Sequence, residues 1–315
     1  MWLYIVALAI LVSLFWWVPI ADLWATIIAL ERSLLYLAIF LQIVTMAMIA
    51  LQWYLLARRM GEKVSYRDMV HLNLVGSFVE SVTPAMKAGG EGAKVWLLCT
   101  RMQCSASRAI ALLTIQKVIS VIPFLLLSAA SLGWLLANEK ISGPQGTLFV
   151  GSFLFLFTVV FVLMALLLAS QKIIPLLYKV PLSDRWEEKI SNGVEQFRQA
   201  SQNVKGPPIT WIGHSILSIL IWVLFAVKAY IVVLSMEVPI SFLVIAVVTF
   251  LSYMVAMVPL TPGGLGTFEG AMMLLLSRFS YTFGSKFSFG FGHSLCHLLA
   301  CLFTLAPFTW PMTIN

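Results

Sequence analysis

The sequence predicts an all-α integral membrane protein with about six full spans plus two re-entrant helical hairpins that form an inverted repeat. Three observations predict it. First, 61% of the 315 residues are hydrophobic and only 10% are charged. Runs of about 20 apolar residues are long enough to cross a hydrocarbon core of about 30 Å. Second, two apolar stretches, 69–101 and 241–278, are broken near their middles by Pro and paired Gly. Third, a short segment is written twice. Residues 83–98 read TPAMKAGGEGAKVWLL and residues 261–276 read TPGGLGTFEGAMMLLL, 178 positions apart, with seven of sixteen positions identical. The Leu and Ala matches mean little in so apolar a chain. The Thr-Pro and Glu-Gly matches, with six residues between Pro and Glu both times, mean more. Broken apolar segments at corresponding places in two halves point to a transporter-like site at the repeat interface.

The elements follow in order. Met1 to Ala21 carries no charge and lacks the basic region and cleavage site of a signal peptide, so 2–21 reads as a retained first span. The second span is 33–57. The stretch 69–101 reads as a hairpin: a helix in, an irregular turn, a helix back out. Irregular backbone at membrane depth is tolerated where protein or a water-filled cavity covers its polar groups. A Pro-kinked complete span is the alternative there and at 241–278. Full spans follow at 109–137, 148–169 and 210–235, then the second hairpin, then a last span at 287–309. The segment 170–209 is the one sizeable soluble stretch. Its Trp186, Ile190, Val194 and Phe197 fall at helical spacing among charged neighbours, the pattern of an amphipathic connector. It lies either on anionic headgroups or packed on the bundle. The whole chain, 1–315, reads as a single polytopic membrane domain.

Loop charge orients the chain. Arg58, Arg59, Lys63, Arg67, Arg101, Arg108, Lys172, Lys179, Arg185, Lys189, Arg198 and Lys205 fall on one side, and Arg32, Lys140, Arg278 and Lys286 on the other. Basic loops stay inside, so both termini are expected in the cytoplasm and the chain in the cytoplasmic (inner) membrane. Three complete spans separate the hairpins, so the two enter from opposite faces. The 178-residue offset then defines repeat units of about 33–137 and 211–315 with opposite orientation. The net charge of +7 follows from this orientation, and no nucleic-acid partner is expected.

A charged side chain at the bilayer centre costs about 2.5–3.5 kcal/mol on insertion scales, so it needs a partner or a role. The candidates are Glu80, Lys87, Glu91, Lys94, Lys117, Lys228 and Glu269. At the first tip, Pro84 disfavours helix at Thr83. Gly89 and Gly90 allow a tight turn and close approach of another group. Glu91 is expected to start the exiting helix, whose free N–H groups, with Lys87 and Lys94, suit a phosphate. Lys117 pairs with Glu80 or Glu91, or binds phosphate. The second tip has Thr261, Pro262, Gly263, Gly264 and Gly266 before Glu269, and no lysine. A structural reading of both acids stands beside the functional one: a carboxylate in a first helical turn satisfies N–H groups and complements the dipole. Lys228 is expected to snorkel to the outer surface. His71 and His214, near membrane edges, receive no role. His293, Cys296, His297 and Cys301 share one helical face, and ordinary packing is the expectation there rather than a metal. No nucleophile–base pair or phosphate-binding P-loop is found, and no cofactor is expected.

At the two hairpins the chain resembles a known family. The run Gly76 to Trp96, with Pro84, Gly89, Gly90 and Glu91, and the run PLTPGGLGTFEG, Pro259 to Gly270, look like the membrane domain of bacterial lysylphosphatidylglycerol synthase/flippases and their stand-alone relatives. The resemblance implies a protein that moves a lipid between leaflets, or helps present one. The bifunctional members carry a cytoplasmic aminoacyl-transfer domain after the membrane domain. This sequence ends at Asn315, so lysylphosphatidylglycerol synthesis is not expected of it.

The favoured reading is therefore a flippase or transporter for a phospholipid or a polyprenyl or glycolipid, working through two opposed re-entrant tips. Its substrate partner is a membrane lipid. Its protein partner is a second copy, in a homodimer, or an enzyme of lipid biosynthesis. The alternatives are a membrane-embedded lipid or polyprenyl-phosphate-sugar transferase, and a non-catalytic partner of a lipid-modifying enzyme that docks through 170–209.

Overall fold

A computed structural model describes residues 31–82, 87–138, 144–177, 195–197, 199, 208–235, 240–258 and 267–283. Among these residues there is no strand. The long helical elements are α1 (Arg32–Arg59), α2 (Tyr66–Val82), α3 (Lys87–Arg101), α4 (Ala106–Asn138), α5 (Pro144–Leu177), α6 (Pro208–Leu234), α7 (Phe242–Met257) and α8 (Thr267–Phe283). Four stretches among them, Arg32–Arg59, Ala106–Asn138, Gly146–Ala165 and Trp211–Leu234, are long and apolar enough to cross a membrane. The protein is an all-α membrane protein. The expected spans 2–21 and 287–309 lie outside the described residues, as does the His293–Cys301 face.

Local chemistry sets the helix ends. The α1 helix closes in a Schellman turn: Gly61 takes φ 83°, the Gly61 N–H donates to the Arg58 carbonyl, and the Glu62 N–H donates to Ala57. Ser65 and Asp68 form a capping box on α2, with the Ser65 N–H 2.7 Å from Oδ2 of Asp68 and the Asp68 N–H 3.2 Å from Oγ of Ser65. Ser241 caps α7 by accepting from the Val244 N–H. The α3 helix ends with Gln103 at φ 53°, and the Cys104 N–H turns back to the Leu98 carbonyl.

The hub is α4, which packs on α1, α3, α5, α6 and α7. It runs through two apolar clusters. One is built from the second half of α1 with α2, α3 and the start of α4, and includes Trp53, Leu56, Met69, Leu72, Leu98 and Leu112. The other joins the second half of α4 to α5, α6, α7 and α8, and includes Phe124, Phe149, Ala229, Ile245 and Leu251. Pro123 lies inside α4 near the junction. Its ring removes one intrahelical N–H and loosens that turn. There the Ser120 carbonyl accepts a bond from the Trp222 indole at 3.0 Å. Lipid tails are as apolar as these side chains, so close fit and buried polar contacts select the bundle.

One departure concerns the connector. The α5 helix continues to Leu177, past the span end expected at 169. Phe197 packs on the first cluster, as Trp211 does, so at this residue the bundle-packing alternative is the one seen. Trp186, Ile190 and Val194 lie outside the described residues.

Candidate functional site

The α2 and α3 arms pack against each other through glycines. A Cβ on Gly90 would stand 2.6 Å from the Gly76 carbonyl oxygen and 2.8 Å from Cβ of Glu80. A Cβ on Gly76 would stand 2.8 Å from Cγ of Lys94. Real side chains do not occupy such spaces, so the two glycines allow the close crossing of the arms and leave a slot for the Lys94 stem.

That slot organises the charges. The Lys94 ammonium stands 5.3 Å from the centroid of the Trp53 ring on α1, a cation–π contact. It also lies 3.5 Å from Oε1 of Glu91, one turn back on α3. Lys117, reaching across from α4, lies 2.6 Å from the same oxygen. Glu80 acts on the Lys94 ammonium through its field. One carboxylate thus holds two lysines, from two helices. The second oxygen of that carboxylate, Oε2, is buried and has no hydrogen-bond partner among the described residues. A buried carboxylate oxygen left unmatched is costly and uncommon.

Two expectations are corrected here. Gly89 and Gly90, expected in the tight turn, are inside α3, which begins at Lys87. Glu91 is therefore not in the first turn, so capping of the helix end does not explain it. The physical reason is that Gly90 is used against α2: helical backbone at this position is what lays it on the Gly76 carbonyl. Lys117, left open between two acids and phosphate, pairs with Glu91. Thr83 and Pro84 lie outside the described residues, and Lys87 is placed by its backbone alone.

The second half differs. Glu269 sits in the first turn of α8 and is buried. That is a position from which a carboxylate complements the helix dipole. Its carboxylate interacts electrostatically with the Tyr253 hydroxyl on α7. Tyr253 belongs to an aromatic group with Phe268 at 4.8 Å, Phe225 at 5.3 Å and Trp222 at 5.8 Å between centroids. Thr261, Pro262, Gly263, Gly264 and Gly266 lie outside the described residues.

Lys228 overturns its expectation. It does not snorkel; it is 1% exposed, donates to the Gln42 side-chain oxygen on α1, and lies 4.1 Å from the Phe225 ring centroid. The reason is that α6 packs on α1 along this face, so the Lys228 stem has no route outward. His214 is also buried in the bundle. Its carbonyl belongs to a buried network. Nε2 of Gln52 donates to Ser218 at 2.6 Å and lies 3.5 Å from the His214 carbonyl, and Nε2 of Gln116 donates to Gln52 at 3.3 Å. This network links α1, α4 and α6, and sequence reasoning missed it. Two glutamines inside apolar spans, Gln52 and Gln116, were the available signal.

Comparison with known proteins agrees with this architecture. The family described as the lysylphosphatidylglycerol synthase TM region matches residues 4–304. A protein called "UPF0104 membrane protein" from Methanothermobacter thermautotrophicus is 23% identical over 250 residues, covering 76% of this chain and 74% of the relative. One of the same description from Methanocaldococcus jannaschii is 21% identical over 252 residues, covering 78% and 74%. Another from Pyrococcus horikoshii is 23% identical over 282 residues, covering 85% and 83%. No solved structure matches the chain. With almost its whole length matched, the chain belongs to the lysylphosphatidylglycerol synthase transmembrane-region family.

Proposed function

We propose that this protein carries a lipid, a phospholipid or a polyprenyl or glycolipid, between the leaflets of the cytoplasmic membrane. The observation that carries the proposal is the Lys94–Glu91–Lys117 cluster, an ionic group enclosed between α3 and α4 with an unmatched carboxylate oxygen. Ionisable groups within a membrane bundle are expensive and mark substrate or ion paths. A lipid headgroup needs such a polar station, while its tails remain in hydrocarbon.

Helix lengths support re-entrant tips. The α2, α3, α7 and α8 helices have 17, 15, 16 and 17 residues. At about 1.5 Å per residue α7, with both ends described, is about 24 Å long, short of a full crossing. Within each half these short helices pack as a pair, α2 on α3 and α7 on α8. The 178-residue offset supports the repeat: it carries α1, α2 and α3 onto 210–237, 244–260 and 265–279, over α6, α7 and α8. Loop charge supports opposite entry of the two pairs and cytoplasmic termini. In this reading Glu80, Glu91, Lys94 and Lys117 line the first station, with Lys87 at the start of the same helix as Glu91, and Glu269 marks the second.

The test is translocation of labelled lipids by purified protein in vesicles, with headgroups from phosphatidylglycerol to neutral glycolipid. Transport that falls at least tenfold in Glu91→Gln or Glu269→Gln is the expected result. No movement of any lipid by folded wild-type protein would remove the proposal. It would favour the transferase or the scaffold reading.

A further inference from the structure

The two lysines on Glu91 are not equivalent. Lys94 is enclosed: its side chain is 10% exposed, its stem lies in the Gly76 slot and its head faces Trp53. Lys117 makes the shorter contact to Glu91 and yet is 31% exposed. An anion can therefore reach Lys117 and cannot reach Lys94 without unpacking α2 from α3. If Lys117 turns toward an anion, Glu91 keeps Lys94 as counter-ion, so no bare carboxylate is left inside the bundle. Beside Lys117 lies the Glu91 oxygen Oε2, which is buried and matched to no donor among the described residues. When Lys117 turns outward it uncovers the carboxylate, and the ammonium with the donor-less Oε2 then makes a two-point receptor.

The geometry points to Lys117 and Oε2 of Glu91 as a binding site for a phosphate ester that carries a neighbouring hydrogen-bond donor, a hydroxyl or an ammonium. Lys117 takes the phosphate, and Oε2 accepts from the donor. Lys94 binds nothing; it holds Glu91 in place. This differs from a site in which Lys94 itself binds phosphate. It rests on the lipid-transport reading for the source of the ester, a lipid headgroup, and on the local geometry alone for the chemistry.

The test separates the two. Thermal unfolding of the purified full chain in detergent is followed with glycerol 3-phosphate and with inorganic phosphate. Glycerol 3-phosphate is expected to raise the wild-type midpoint at lower concentration than inorganic phosphate does. Lys117→Gln is expected to weaken its binding at least tenfold, and Lys117→Arg to restore it to within about threefold, since the charge returns. Glu91→Gln releases Lys117 and removes the charged acceptor, so it is expected to abolish the preference for glycerol 3-phosphate over inorganic phosphate. Lys117→Gln that binds like wild type, or a wild-type midpoint unmoved by glycerol 3-phosphate, overturns the site. Equal binding of the two ligands by wild type overturns the part assigned to Oε2 and identifies plain phosphate as the ligand. In vesicles, Lys117→Gln is expected to slow phosphatidylglycerol at least tenfold more than a neutral glucosyl lipid; an unchanged ratio of the two rates overturns the assignment. Lys117-dependent binding in a wild type that moves no lipid would keep the site and remove the transport reading.

Discussion

The Lys117 ammonium on α4 stands 2.6 Å from Oε1 of Glu91 on α3, and the Lys94 ammonium stands 3.5 Å from that same oxygen. The carboxylate is shared, so its loss is felt by two cations and the loss of either lysine is felt by one carboxylate. Breaking a buried pair on one side costs about 3–5 kcal/mol, whereas an exposed pair contributes about 0–1 kcal/mol. Lys94 falls in the first class and Lys117 between the two. Glu91→Gln is expected to destabilise the protein by about 3 kcal/mol and Lys117→Gln by about 1 kcal/mol. The double variant should cost less than the sum, because the residues share a contact. Unfolding in detergent measures all three. Equal losses from the two single variants would contradict the shared-carboxylate arrangement.

The crossing of α2 and α3 predicts an asymmetry among glycines. Ala at Gly90 meets the Gly76 carbonyl, which is backbone and cannot turn aside. Overpacking of this kind costs about 1–3 kcal/mol. Gly92, two residues on, has nothing within 4 Å of an added Cβ. There Ala is expected to stabilise by about 0.5–1 kcal/mol through helix propensity. The same unfolding assay compares Gly90→Ala with Gly92→Ala, and the two shifts should have opposite signs.

Gln103 holds a left-handed backbone at φ 53° to end α3. This conformation costs a residue with a Cβ about 1–2 kcal/mol and costs glycine almost nothing. Gln103→Gly is expected to raise stability by about 1 kcal/mol, with translocation unchanged. A midpoint that falls would show that the Gln103 side chain contributes more than the turn costs.

Cys104 follows Gln103 in the loop between α3 and α4. Burial, and then the nearby Glu62 carboxylate, push its thiol up to about 12. Glu62 is itself held by Arg108 at 3.0 Å. At pH 8 such a thiol is about one part in ten thousand thiolate, against about a quarter for a thiol near 8.5. With Cys99, Cys296 and Cys301 replaced by Ala, maleimide labelling of Cys104 should be at least about a thousandfold slower than that of a free thiol. The rate should rise about tenfold per pH unit between 8 and 10, because the reactive thiolate grows with pH throughout that range. Glu62→Gln should speed it by removing a nearby negative charge. A rate that is flat over this pH range would contradict a raised thiol.

The membrane class, and Glu91, Lys94 and Lys117 as charges in need of a partner or a role, were legible in the sequence. Apolar run length reports membrane crossing directly, and an ionisable residue amid such a run is conspicuous. The role of Gly90 was half legible. Glycine announces either a turn or a close approach, and only the start of α3 at Lys87 separates the two. Lys228 was misread because helix position alone does not say whether a long side chain faces lipid or a neighbouring helix. The polar network of Gln52, Gln116, Ser218 and the His214 carbonyl was not legible as a network, because its members are up to 166 residues apart.

By itself, the sequence determined that this chain lives in a membrane, that its apolar segments break at two related places, and that acids sit beside those breaks. These are local properties: hydropathy, Pro and Gly chemistry, and spacing along one strand of chain. The tertiary structure decided the partners. It set Lys94 against Trp53, gave Lys117 to Glu91 rather than Glu80, and enclosed Lys228 between α1 and α6. Those choices depend on which helix faces which, and on where two glycines let backbones meet. Distance in space, unlike spacing in sequence, is settled only when the helices pack.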